Sequence, residues 1–194
     1  GLVVGRVSGE DVGRERRVFG QRFDSVGTAF GGEFQVNTYT TNQQREPAVA
    51  ADGAGNFVVS WISYGQDDGS NWGVFVQRFH SSGIKAGSEF RVNTYTTSSQ
   101  FISVVAADGA GNFVVTWEGV GPTDSSGVSG RRFNAAGVAI GGEFQVNAYT
   151  TSSQSGTAIA ADGAGNFVVT WQSGDQDGSG TAIIGRRVTT TVFD

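Results

Sequence analysis

The sequence predicts an all-β fold, a β-propeller built of four-stranded antiparallel blades with no helices. Three observations carry this. The chain is rich in glycine, with 31 residues against two prolines. It repeats itself at a period of about 55 residues, near the known range of blade lengths. Its most regular apolar run is hydrophobic on both faces, as expected of a strand covered on both sides.

The composition sets the class. Hydrophobic residues make up 38% of the 194 positions and charged residues 16%, which describes a folded, lightly charged protein. The net charge of −5 speaks against nucleic acid, which requires a basic face, and against insertion into an anionic membrane. The local cluster Arg14, Arg16 and Arg17, with Glu15 among them, reads as a solvated face. Without cysteine there is no disulfide framework and no thiolate metal site. No apolar run approaches the length of a transmembrane helix.

Three blocks recur in one order. Asp52-Gly-Ala-Gly-Asn-Phe-Val-Val-Ser-Trp61 returns at Asp108–Trp117 and again at Asp162–Trp171. Glu33–Asn37 returns at Glu89–Asn93 and Glu143–Asn147. An Arg-Phe ending recurs at Phe23, Phe79 and Phe133. Each unit then reads as four strands. Strand A is small and apolar, Pro47–Ala51, and suits a crowded innermost position. An Asp-Gly-Ala-Gly turn joins it to strand B, Asn56–Ile62. A polar loop leads to strand C, Trp72–Phe79, and a Ser-Ser-Gly turn to strand D, Glu89–Asn93. A Thr/Gln-rich crossover, 94–100, leads to the next strand A. In strand B, Phe57, Val59 and Trp61 point one way and Val58 the other.

This divides a single repeat domain, 1–194, into a partial blade at 1–37, blades at 47–93 and 101–147, and a partial blade at 157–194. The N-terminus aligns with the last repeat, Leu2 on Phe167 and Gly20 on Gly185. Two blades are therefore incomplete. Either the tail Thr189–Asp194 supplies a strand, or chains join, or more sequence belongs to the ring. Open blade ends expose strand edges, so self-association is expected. Within each C–D hairpin, Arg22 and Glu33, Arg78 and Glu89, and Arg132 and Glu143 stand 11 residues apart, which predicts a cross-strand ion pair in each.

The segments Gly55–Trp61, Gln66–Ser70, Gly73–Phe79 and Glu89–Thr97 resemble repeats of large secreted bacterial proteins, many of them RTX-type calcium-associated surface and adhesion proteins. The resemblance runs from Leu2 to about Val188. It implies a secreted or cell-surface setting and an adhesin-like role. The Gly-Gly-x-Gly-x-Asp nonapeptide of RTX segments does not occur in this chain.

In an up-and-down blade, the B–C loops and D–A crossovers share one face, and the A–B and C–D turns share the other. The Asp-Gly-Ala-Gly turn is identical in three repeats and reads as structural. The B–C loops vary and read as a binding surface. Asp67, Asp68, Asp175 and Asp177 are the candidate oxygen ligands for calcium. Trp72, beside the acidic loop, is a candidate for stacking on a sugar, with Asp68 and Asp177 as polar contacts. Tyr39, Tyr95 and Tyr149, with Gln44, Gln100 and Gln154, place an aromatic ring and an amide in each crossover, a pattern that suits a neutral glycan. Trp61, Trp117 and Trp171 read as packing between blades. His80 is the only histidine and sits at a turn, which argues against a Ser-His-Asp triad. Glu10, Glu46 and Glu118 are acidic residues outside the repeat pattern. The expected function is a non-enzymatic module for multivalent glycan binding or adhesion. The alternatives are a self-assembling surface protein and an accessory part of a larger secreted enzyme.

Overall fold

The computed structural model describes residues 2–4, 17–66, 71–121 and 124–188, the first three by backbone pairing alone. Glu10, Arg14, Arg16, Asp67, Asp68 and the tail Thr189–Asp194 lie outside the described residues. Fourteen strands and no helix are found among those described. They form four successive antiparallel meanders. The first contains β1 (Leu2–Val4), β2 (Phe19–Phe23) and β3 (Ala29–Gln35). The second contains β4 (Gln44–Ala51), β5 (Phe57–Tyr64), β6 (Trp72–Phe79) and β7 (Phe90–Arg91). The third contains β8 (Gln100–Ala107), β9 (Phe113–Gly119), β10 (Gly127–Phe133) and β11 (Ala139–Gln145). The fourth contains β12 (Gln154–Ala161), β13 (Phe167–Gly174) and β14 (Thr181–Val188). The edge strands β4, β8 and β12 pack against one another and form a shared inner edge. These are propeller-type blades.

Burial follows from where each sheet stands in the series. Phe57, Val59 and Trp61 pack back onto Val18, Val36 and Phe34 of the first sheet. Val58 and Ile62, on the opposite face of β5, pack forward onto Phe113, Val115 and Trp117 of the third. Val114, opposite that set, packs onto Phe167, Val169 and Trp171 of the fourth. Two core clusters thus sandwich each of the two middle sheets, and β9 is buried at every position but its last. In β13 burial alternates instead, and Val168 is 46% exposed because no described sheet covers it.

The A–B turns explain the invariance of Asp-Gly-Ala-Gly. Asp108 Oδ1 accepts the N–H groups of Ala110 and Asn112, each at 2.9 Å, and Oδ2 accepts the Asn112 amide. Asp52 and Asp162 do the same in their turns. The carboxylate stands in for backbone acceptors, as in an Asx turn. Successive turns also stack: Gly53 N–H donates to Gly109 O at 3.3 Å. A Cβ on Gly109 would lie 3.1 Å from Gly163 O, so the second position of the turn is kept free of side chain.

Two local expectations are corrected. Strand A begins at Gln44, three residues before the expected Pro47, because a β-bulge between Arg45 and Ala48 carries the ladder past the irregular pair. The Arg–Glu ion pairs do not form within the hairpins. A bulge between β2 and β3 sets Arg22 opposite Phe30, and the same bulge sets Arg132 opposite Ile140. Four of these side chains instead bond to a neighbouring sheet. Arg22 Nη1 donates to Ser81 O at 2.7 Å and Arg78 Nη1 to Ala135 O at 2.7 Å, both forward. Glu89 and Glu143 bond backward, as described below.

The sandwiching gives a paired test. Val114→Thr places a hydroxyl in the closed interface and is expected to cost about 1–3 kcal/mol, whereas Val168→Thr, at the same repeat position on the open face, is expected to stay within about 0.5 kcal/mol. Urea unfolding of the two variants checks this; equal losses would contradict the assignment of closed and open faces.

Candidate functional site

The inner edge is where the repeat departs most from regular geometry. All three inner strands carry the same bulge, between Arg45 and Ala48, Phe101 and Val104, and Ser155 and Ala158. At its heart one residue takes a left-handed backbone: Glu46 at φ 52°, Ile102 at 45° and Gly156 at 65°. Glycine accepts this readily, but a β-branched isoleucine does not, so Ile102 marks local strain held by the surrounding sheet. The bulge leaves N–H groups outside the ladder. Ile102 N–H donates to Glu46 Oε2 at 3.0 Å, across the second and third sheets. Thr157 N–H donates to Glu118 Oε1 at 3.0 Å, across the third and fourth.

These two glutamates are the acidic residues that break the repeat. After the strand-B tryptophan the chain carries Ile62, Glu118 and Gln172 in turn. Glu118 is 9% exposed, while Glu46 is exposed. Burial raises the Glu118 pKa above the ordinary glutamate value. The Thr157 and Gly156 N–H groups oppose that shift, and the negative charge of Glu46 adds to it. The two carboxyl groups therefore lie within electrostatic reach and differ in environment. Phe101, cross-strand from Glu118 and 45% exposed, sets an aromatic ring beside them. Arg45 lies over the Trp72 ring at 5.1 Å, and Tyr64 packs against Trp72 at 5.3 Å between centroids.

The crossovers lie on the same face. Glu89 accepts the N–H groups of Thr38 and Tyr39. Glu143 accepts Thr94 N–H and Oγ1–H at 2.8 and 2.9 Å, and Tyr95 N–H at 3.4 Å. Each glutamate thus holds the crossover of the preceding sheet. Between that crossover and the third sheet lies a cleft of about 410 Å³, with Tyr95, Asp124, Glu143 and Gln145 on its walls. Asp124, from the B–C loop, is 6% exposed and accepts the side-chain amides of Gln145 and Asn147 at 2.9 and 2.7 Å.

The expected site residues are dispersed. Gln44, Gln100 and Gln154 are 1–2% exposed and sit inside the crossovers. Gln44 accepts from Asn37 and donates to Thr41 O, and Gln100 donates to Ser98 O and Val120 O. Gln154 accepts from Asn147. Tyr39, Tyr95 and Tyr149 are half-buried, and Tyr39 Oη donates to Gly65 O at 3.3 Å. Tyr95 alone among them lines the 410 Å³ cleft. Trp72 is half-buried under Arg45. Asp175 and Asp177 are exposed within a turn, where Asp177 Oδ1 accepts Ser179 N–H at 3.2 Å. Among the described residues no group of three His, Asp or Glu side chains is gathered for a metal ion. Sequence reasoning passed over Glu46 and Glu118 as unrepeated residues without a motif. Their departure from the repeat was itself the signal.

No family model matches the chain, and no curated protein matches its sequence. Solved structures do. A protein of unknown function from Dyadobacter fermentans is similar at a TM-score of 0.61 and 14% identity, over 96% of this chain and 49% of its own. A Hadza microbial sialidase is similar at a TM-score of 0.58 and 11% identity, over 89% of this chain and 39% of its own. The endo-arabinase of Bacteroides thetaiotaomicron aligns at a TM-score of 0.49 and 10% identity, over 97% of this chain and 75% of its own. The chain thus spans about half or less of the two structures it fits best among these. At such identities the likeness is one of fold, and the fold is the propeller type. The RTX-type resemblance stays a reading of the sequence. The functional expectation of a non-enzymatic binding or adhesion module, with self-assembly or an accessory role as alternatives, is corrected: the structure of like fold whose name states an activity is a sialidase, an enzyme. Among the described residues no helix is long and apolar enough to cross a membrane.

Two outcomes are expected. Glu118 has a raised pKa when folded, so its contribution to stability is fully present below the ordinary glutamate pKa and is lost as pH rises through the folded value. Glu118→Gln keeps the acceptor for Thr157 and removes the charge, so its melting temperature should exceed that of the parent at pH 7 and converge with it in acid. A melting series over pH checks the convergence. Glu143→Ala removes the acceptor of the Thr94 and Tyr95 N–H groups, one exposed and one half-buried, and is expected to cost about 0.5–1.5 kcal/mol, read by chemical denaturation, with faster hydrogen exchange confined to the 94–99 crossover.

Proposed function

We propose that the chain is part of a carbohydrate-active propeller that hydrolyses glycosidic bonds at the crossover-face mouth of its inner edge. The observation that carries this reading is Glu118: a carboxyl group outside the repeat, raised in pKa by burial, with the carboxylate of Glu46 within electrostatic reach. Glycoside hydrolysis uses two carboxyl groups in unlike environments, one protonated and one ionised. Glu118 supplies the acid and protonates the leaving oxygen. Glu46, solvent-facing, supplies the carboxylate that activates water or attacks the anomeric carbon. The exposed ring of Phe101 offers a stacking face for a sugar, and the cleft at Tyr95 a place for the rest of a glycan. The sialidase name of one structural neighbour supports the substrate class. A glycan partner fits a secreted or cell-surface setting.

A panel of aryl glycosides, including sialosides and arabinofuranosides, tests the reading. Release of aryl alcohol should fall about 10²–10⁴-fold in Glu118→Gln. Glu46→Gln should fall comparably and should also shift the alkaline limb of the pH–rate profile downward, because its charge no longer raises the pKa of the acid Glu118. Hydrolysis that persists in both variants, or none on any glycoside, would refute the assignment.

A further inference from the structure

We infer that a pocket on the opposite, turn face, between the second and third sheets, binds a small carboxylate that carries an apolar ring or chain. The pocket has a volume of about 170 Å³. Its floor is the aromatic core, with Phe57, Phe79 and Phe113 buried and 2–3% exposed. Its rim carries Arg78 and His80. An apolar cavity of about 150 Å³ accommodates benzene, so this one has room for a six-membered ring or a short alkyl chain.

Arg78 supplies the recognition. One nitrogen, Nη1, donates to Ala135 O at 2.7 Å. Nε is buried with no hydrogen-bond acceptor among the described residues. Burial lowers the Arg78 pKa, the direction a cation takes when drawn from water without a counter-charge. Asp52 lines the same pocket, but its carboxylate is committed to its own turn, through Ala54 and Asn56. A planar guanidinium with unspent donors matches a carboxylate in two-point geometry.

The repeat shows why the pocket opens here. In the first sheet the equivalent Arg22 lies over the Phe30 ring at 4.7 Å. The position of Phe30 is Ile140 in the third sheet and Ala86 in the second. Ala86 lines the pocket, so beside Arg78 no large side chain stands at the position that Phe30 and Ile140 hold in the other two repeats. His80 stands where the other repeats have Asp24 and Asn134, so the one rim position that is acidic in the first sheet is not acidic here.

The test uses the 194-residue chain titrated with sodium benzoate, benzyl alcohol and sodium acetate, followed by amide NMR shifts at 78–86 and by calorimetry. Benzoate should bind saturably, and both benzyl alcohol and acetate at least tenfold more weakly, since each lacks one half of the recognition. Ala86→Phe should fill the pocket, restore the stack seen on Arg22, and reduce benzoate affinity at least tenfold with no loss of melting temperature. Arg78→Gln should do the same through the guanidinium; should that variant not fold, Ala86→Phe decides. Benzyl alcohol binding as well as benzoate, benzoate binding undiminished in Ala86→Phe, or no saturable benzoate shift would each overturn the inference.

Discussion

The structure depends on apolar burial across both faces of the B strands. A sheet of this size cannot stand with one face in water and its tryptophans exposed. Trp61 and Trp117 are fully buried, each between its own sheet and the one before it. Burying side chains of this size contributes on the order of 2–3 kcal/mol each, and the contribution exists only when the next sheet is in place. Folding of one blade is therefore coupled to its neighbours, as in other repeat arrays. The alternation of burial in β13 shows the same rule at its limit: one covered face, one open.

Polar bonds then fix how the sheets are set. Apolar packing between flat faces is tolerant of sliding, whereas hydrogen bonds are not. Each sheet boundary within the described residues carries some of them, and the boundary between the second and third sheets carries them at three levels. Arginines reach forward to carbonyls of the next C–D turn, glutamates reach back to the preceding crossover, and the inner bulges are bonded by Glu46 and Glu118. The charged residues that look from spacing like hairpin partners serve instead as links between sheets. This accounts for their regular recurrence better than a register role inside a single hairpin.

The inner edge and the turn face draw different chemistry from the same scaffold. At the inner edge, a bulge that recurs in the second, third and fourth sheets creates N–H groups that need acceptors, and two sheet boundaries meet that need with an acid. The result is a pair of carboxyl groups, one buried and one open, beside an exposed aromatic ring. At the turn face, a recurring arginine meets a large side chain in two repeats and Ala86 in the third, and a pocket results. Both features arise where one repeat departs from the others against a constant backbone, which is how loops and substitutions on a shared fold acquire chemistry.

The sequence by itself determined the repeat, the antiparallel meander, the turn at each Asp-Gly-Ala-Gly and the two-faced core, because these follow from local backbone preference and from periodicity at fixed spacing. Phe57, Val58 and Trp61 could be placed on their faces from alternation alone, and Trp61, Trp117 and Trp171 could be read as packing. The partners of Arg22, Arg78, Glu89 and Glu143 could not. A single-residue bulge shifts the register, and a shift of one residue reverses which face a side chain meets. Gln44, Gln100 and Gln154 looked like surface amides because their neighbours are polar, yet strand A starts at them and the crossover folds over them. Glu118 and Glu46 are 72 residues apart in the chain. Only the stacking of one sheet on the next brings them into each other's field, and no local pattern in the sequence records that approach.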